Sequence, residues 1–194
     1  MGMNNINLEG MKSFAEEVKQ DLAKSKRTKK VECSWNFDER KPQMTSKLQH
    51  PKGETTVHSD LAPFMGGTGS APDPIQYCLF GLACCFAGTF MSTATTMGIK
   101  VENLKISAEN SLDFSKTIGL TKNPITEKVK IVVEVKSGAT QEQLKDLEKL
   151  SRERCPGVYC LVNPIPLELE LVPVRRSVER AQRAGFGTLE LRLF

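Results

Sequence analysis

Histidine is scarce in this chain: only His50 and His58 occur among 194 residues. Neither sits in a paired-ligand pattern, and no Cys-x2-Cys pair accompanies them, so the spacing of a zinc site is missing. Charge of one sign is also lacking. There are 27 basic and 23 acidic residues, a net charge of +4, too small an excess to argue for nucleic acid by itself. Residues 64–74 are glycine-rich but have no Gly-Lys-Ser/Thr ending, so they do not make a phosphate cradle. The start, Met1-Gly-Met-Asn-Asn-Ile-Asn, has no basic segment ahead of an apolar core, and a cytoplasmic location is the expectation. No internal repeat is present. The longest apolar run, residues 75–90, falls short of the ~20 residues of a membrane span. It continues into Ser92-Thr-Ala-Thr-Thr96 and then Gly98, and reads as a core helix with no membrane partner. Six cysteines are too few and too irregular for a disulfide scaffold. In a reducing compartment they are free, catalytic or metal-binding.

What is there is an ordinary globular composition, 39% hydrophobic and 26% charged, in a chain long enough to bury a core. Apolar residues at helical spacing predict a helix over 7–24, capped by Asn7. A basic cluster follows (Lys24, Lys26, Arg27, Lys29, Lys30), read as a solvated helix end. Alternation around Val31, Cys33, Trp35 and Phe37 predicts a strand, with Trp35 and the other aromatics in the core. Two more strands flank a turn at Pro51-Lys-Gly53. Residues 64–74 read as a flexible entry to a helix over 74–97, with Pro74 in its first turn and Gly98 beyond its end. That helix is apolar on nearly every face, which predicts a central position. Strands follow at 101–114 and 129–135. Thr140 and Gln143 form a capping box for a helix ending near Cys155-Pro156. Alternating Leu167, Leu169 and Leu171 predict a last strand, and residues 173–194 a short helix and tail. The order implies an α+β fold with mostly antiparallel sheets around a long buried central helix.

Two cysteine signals stand out: the adjacent Cys84 and Cys85 in the apolar helix, and Cys155-Pro156. On a helix, neighbours point about 100° apart, so Cys84 and Cys85 cannot share a role, and a bridge between them would be strained. Cys85 shares a face with Cys78 and Gly81; Cys84 shares one with Tyr77 and Phe80. Cys85 is the reactive candidate. Cys84, Cys33, Cys78 and Cys160 read as packing residues, although Cys160 lies close enough in sequence to compete with Cys155.

Gly69-Ser-Ala-Pro-Asp-Pro74 leading into the helix, Cys85 eleven residues after Pro74, and Cys155-Pro156 after an amphipathic helix occur in one order. In this the chain resembles the OsmC/Ohr family, the osmotically induced and organic hydroperoxide resistance proteins, over roughly residues 30–172. The resemblance divides the chain into an N-terminal helical extension (1–28), an OsmC-like domain (29–172) and a C-terminal tail (173–194). It implies an intertwined homodimer whose active sites each use both subunits. The implied activity is reduction of organic or hydrogen peroxides by Cys85 and Cys155, with electrons from a small dithiol or a dithiol protein and no cofactor. In the family an arginine from the early strands lowers the pKa of the reactive cysteine, held by a glutamate just after the helix-starting proline. Here that position is Ile75, followed by Gln76. Arg40 is the only arginine of the early strand region and the candidate cation, with Asp38, Glu39 or Glu54 as its carboxylate. Two other readings stay open: a non-catalytic protein of the same fold that binds a small ligand or partner, and a nucleic-acid-associated protein using its basic termini.

Overall fold

The computed structural model describes residues 2–174. Residues up to Asn163 form one compact unit, and the segment from Pro164 is a second.

The chain opens with a 3-10 turn whose Asn4 is tied to the distant core. Its amide donates to Thr95 Oγ1 and the Ile99 carbonyl, and its Oδ1 accepts from Val101 N. Helix α1 is Leu8–Gln20, and the Asn7 side chain accepts from Gly10 N. The expected helix to 24 stops earlier because Asp21 turns extended and caps a separate 3-10 turn, Leu22–Ser25, through Ala23 N. No residue of α1 is buried.

Strands β1 (Cys33–Trp35), β2 (Met44–His50) and β3 (Gly53–Ser59) form an antiparallel meander. Trp35 is 49% exposed and Phe37 92%, so these aromatics are not in a core. Alternation fixed the strand but not what covers it.

Helix α2 is Pro74–Thr96. Pro74 occupies the first turn, and Asp73 and Gln76 complete a reciprocal capping box. Gly98 follows at φ 74, a left-handed value that glycine adopts without strain. By length and composition alone α2 would cross a membrane, a test that core helices also pass. One face is buried, with Leu82, Phe86, Phe90, Thr93, Ala94 and Thr95. The other is open: Phe80 is 65% exposed, and Gly81, Cys84 and Gly88 are exposed. The expected burial on nearly every face is therefore half met within one chain.

The buried face packs on a second sheet, the antiparallel pair β4 (Val101–Leu112) and β5 (Thr126–Ser137), and on helix α3, Gln141–Arg154. The Thr140–Gln143 capping box starts α3 through both reciprocal bonds. A fourth helix, α4 (Pro156–Val162), follows at once. The sequence reading took Cys155-Pro156 as an end. Proline does stop the preceding helix, but its fixed φ and missing N–H also suit the first turn of the next.

Residues 167–171 form no strand. Leu167, Leu169 and Leu171 are 87%, 85% and 86% exposed. Alternation specifies a strand only where a neighbour supplies the ladder, and none does among the described residues. The helix and tail expected at 173–194 lie, from residue 175 on, outside the described residues.

Candidate active site

The site is built where α2, α3 and α4 meet. Cys155 ends α3 and begins α4 in an extended conformation (φ −78, ψ 117). This break in the helical path turns its side chain into the core, where it is 0% exposed. Cys85 projects from the middle of α2 and is half-buried. The two residues are 70 apart in sequence, yet the Cys155 thiol donates to Cys85 Sγ over 3.7 Å. A disulfide needs about 2.05 Å between sulfurs, so bonding requires only a small closing motion.

Gly157 N donates to Cys85 Sγ at 3.4 Å. A Cβ at Gly157 would lie 3.2 Å from Leu82 Cδ1 and 3.4 Å from Cys85 Sγ. Glycine is thus what lets the α4 backbone reach the sulfur. Sequence reasoning missed Gly157; its signal is the glycine immediately after Cys155-Pro156.

The electrostatics of Cys85 in the single chain favour the thiol. Burial pushes its pKa up, the Gly157 N–H pulls the other way, and Cys155 and Cys160 add to the rise. Arg40 does not join the cysteines. Its guanidinium is bidentate on Asp38 (2.9 and 3.1 Å) in the same turn, and its side chain is 88% exposed. Asp38 is thus the carboxylate that holds it. Among the described residues no hydrogen bond links a cation to Cys85. Ile75 is half-buried, and Gln76 uses its amide oxygen on Asp73 N, so neither replaces an arginine-holding glutamate.

The other thiols do not pack as expected. Cys33, Cys78, Cys84 and Cys160 are all exposed. In the basic cluster, Arg27 lies over the Phe14 ring at 5.6 Å and Lys30 pairs with Glu32. His50 and His58 make local strand contacts, to Thr55 and Thr45.

The glycine-rich entry to α2 is held, not loose. Asp60, 1% exposed, accepts at Oδ2 from Ser70 N (3.0 Å), Ser70 Oγ (2.7 Å), Thr68 N (3.3 Å) and Thr68 Oγ1. The Thr68 and Ser70 donors hold its carboxyl well below the usual carboxylate range. Pro72 O closes the loop by accepting from Ser59 Oγ and Asp60 N. Gly67 passes so close to Leu61 O that any Cβ would clash, at 1.9 Å. Tyr77 adds a bond to His58 O at 2.7 Å. These contacts fix where α2, and with it Cys85, begins. No spacing rule pointed to Asp60.

The family model for OsmC-like protein matches residues 67–170, more than half of the chain and a span that includes both Cys85 and Cys155. The chain belongs to the OsmC-like family. Solved structures agree on the fold. One is an OsmC-like protein from Mycoplasma pneumoniae, at TM-score 0.54 and 18% identity, covering 70% of this chain and 87% of that one. Another is an organic hydroperoxide resistance protein OsmC from Legionella pneumophila, at TM-score 0.50 and 19% identity, covering 71% and 92%. Comparison with curated protein sequences finds no match. Family membership accounts for the α+β fold, with two antiparallel sheets and a long helix. Arg40 lies outside the matched span.

Proposed function

We propose that this protein is a thiol-dependent peroxide reductase working through Cys85 and Cys155. The observation that carries this is the 3.7 Å approach of the two sulfurs across 70 residues. The Cys85 thiolate attacks the terminal oxygen of a hydroperoxide. The O–O bond breaks, the alcohol leaves with a proton, and Cys85 becomes a sulfenic acid. The Cys155 thiol condenses with it, forming the disulfide and releasing water. An external dithiol then returns two electrons and two protons. Every step uses this chain's own sulfurs and needs no cofactor.

Among the described residues no cation bonds Cys85 to favour its thiolate, an element that the cycle needs. This supports a homodimer in which a second copy completes the site, with Arg40 as the candidate cation. A three-stranded sheet with neither face covered is marginal by itself, and the β1–β3 sheet has no buried residue. The open face of α2 carries Gly81 and Gly88, where an added Cβ would meet nothing within 4 Å. Glycine within a helix costs about 1 kcal/mol relative to alanine. Close approach of another chain would explain it.

The test is to incubate reduced protein with an organic hydroperoxide and count free thiols. The wild type loses two thiols per chain to a disulfide, and Cys85→Ser loses none above background. Equal loss in the two proteins overturns the reading.

A second reading, ligand binding without turnover, is favoured by Ile75 and by the raised Cys85 pKa. It also has a place to bind, an open groove of about 1080 Å³ lined by Phe86, Phe90, Ile131, Leu144 and Val158. Tight ligand binding without peroxide consumption would select it.

A further inference from the structure

Cys155 poses an access problem for the cycle proposed above. It is 0% exposed, and a disulfide between it and Cys85 would present only the half-buried Cys85 sulfur to a reductant. Thiol–disulfide exchange needs a thiolate to reach a sulfur. A dithiol protein cannot enter a packed core.

A third thiol lies at the edge of this pair. Cys160 is on α4 and is exposed. It follows Gly157 by three residues, which puts the two on one helix face. That face is the one directed at Cys85, because a Gly157 Cβ would touch its sulfur. Cys160 is also near enough to add to the rise in the Cys85 pKa.

Helix geometry selects which sulfur Cys160 engages. Five residues along a helix advance about 7.5 Å, and a disulfide tolerates at most about 7 Å between Cα atoms. With α4 folded, a Cys155–Cys160 bridge is disfavoured, which leaves Cys85, touched by the Gly157 face of α4, as the partner.

We infer that Cys160 is an exchange relay that carries the disulfide from the buried pair to the surface. This rests on the two-cysteine reading above and names how the site is reset. The Cys160 thiolate attacks Cys85 Sγ, the Cys85–Cys155 bond breaks, and the electron pair leaves on the Cys155 sulfur, which takes up a proton. The products are a Cys85–Cys160 disulfide and a reduced Cys155, with no net oxidation. An external dithiol then attacks the exposed Cys160 sulfur and releases the Cys85 thiol. Its second thiol closes the reductant's own disulfide and frees Cys160.

Two experiments on the full chain test this. In the first, Cys155→Ser is oxidised with diamide, alkylated, digested and mapped by mass spectrometry. The expected product is a Cys85–Cys160 peptide pair. A folded variant in which Cys85 and Cys160 remain unlinked overturns the relay. Diamide joins thiols without peroxide, so the two readings separate: inertness to hydroperoxide sinks the peroxidase reading, and diamide linkage in such a chain still leaves the relay standing. The second experiment avoids the buried substitution. Wild type and Cys160→Ser are oxidised to the Cys85–Cys155 disulfide, and their re-reduction by a thioredoxin-type dithiol protein is timed. Cys160→Ser is expected to be slower severalfold, and equal rates overturn the proposal.

Discussion

At Cys85 two neighbours of the sulfur act against each other. Burial raises its pKa, while the Gly157 N–H lowers it. The net rise means that the folded chain holds the proton more tightly than the unfolded chain does. Stability from this group is complete below the ordinary thiol pKa and is lost as pH rises above it. Melting temperature of the wild type is therefore expected to fall more steeply across alkaline pH than that of Cys85→Ala, by calorimetry at matched pH steps. Gly157 offers a sharper test. Valine there would intrude on Leu82 and Cys85 and drive α4 off α2. Gly157→Val is expected to slow Cys85–Cys155 disulfide formation by an order of magnitude or more, read as thiol loss after one equivalent of oxidant; an unchanged rate would mean that the close approach has no role. Cys85 and Cys155 were legible as a candidate pair only through the resemblance that their order along the chain carries. Asp60 was not, because its importance comes from donors that the fold brings near; Gly157 was missed beside Cys155-Pro156, and Cys160 was read only as a packing residue or a competitor of Cys155.

Helix starts were well marked at the level of elements. Asn7, and Thr140 with Gln143, cap the helices that the sequence assigned them, since a cap is satisfied within one turn; the helix that Pro74 marked is capped by Asp73 and Gln76, which the sequence reading did not name as caps. Thr140→Ala is expected to destabilise the chain by about 1 kcal/mol, measured by urea denaturation. The failures were of a different kind. The α4 helix was hidden because proline reads both as an end and as a beginning. The 167–171 strand was over-read because alternation describes a face and says nothing of whether a partner strand exists. Asn4 shows the same limit: its bonds to Thr95, Ile99 and Val101 span more than 90 residues. Asn4→Ala is expected to leave helix content unchanged while speeding amide exchange at Val101 N, which loses its acceptor.

At the scale of the whole molecule, the described residues leave half of α2 exposed and bury no residue of the β1–β3 sheet. If a second copy covers them, light scattering will give twice the mass of 21.5 kDa. Gly88→Leu will then reduce that mass without disturbing intrachain packing, since nothing lies within 4 Å of the added Cβ. A monomeric wild type would remove the homodimer from the proposal. The sequence showed that α2 is apolar all round, but one chain's sequence does not state whose surface meets it. There is a mechanical corollary to the position of Cys155. As the joint between α3 and α4, it would turn from pivot to rivet once bonded to Cys85. A cross-link closing a loop of this length removes unfolded-state freedom worth about 4 kcal/mol in the chain-entropy account. The oxidised protein would then be the more rigid one, and each encounter with an oxidant would leave a temporary imprint on how readily the whole molecule unfolds.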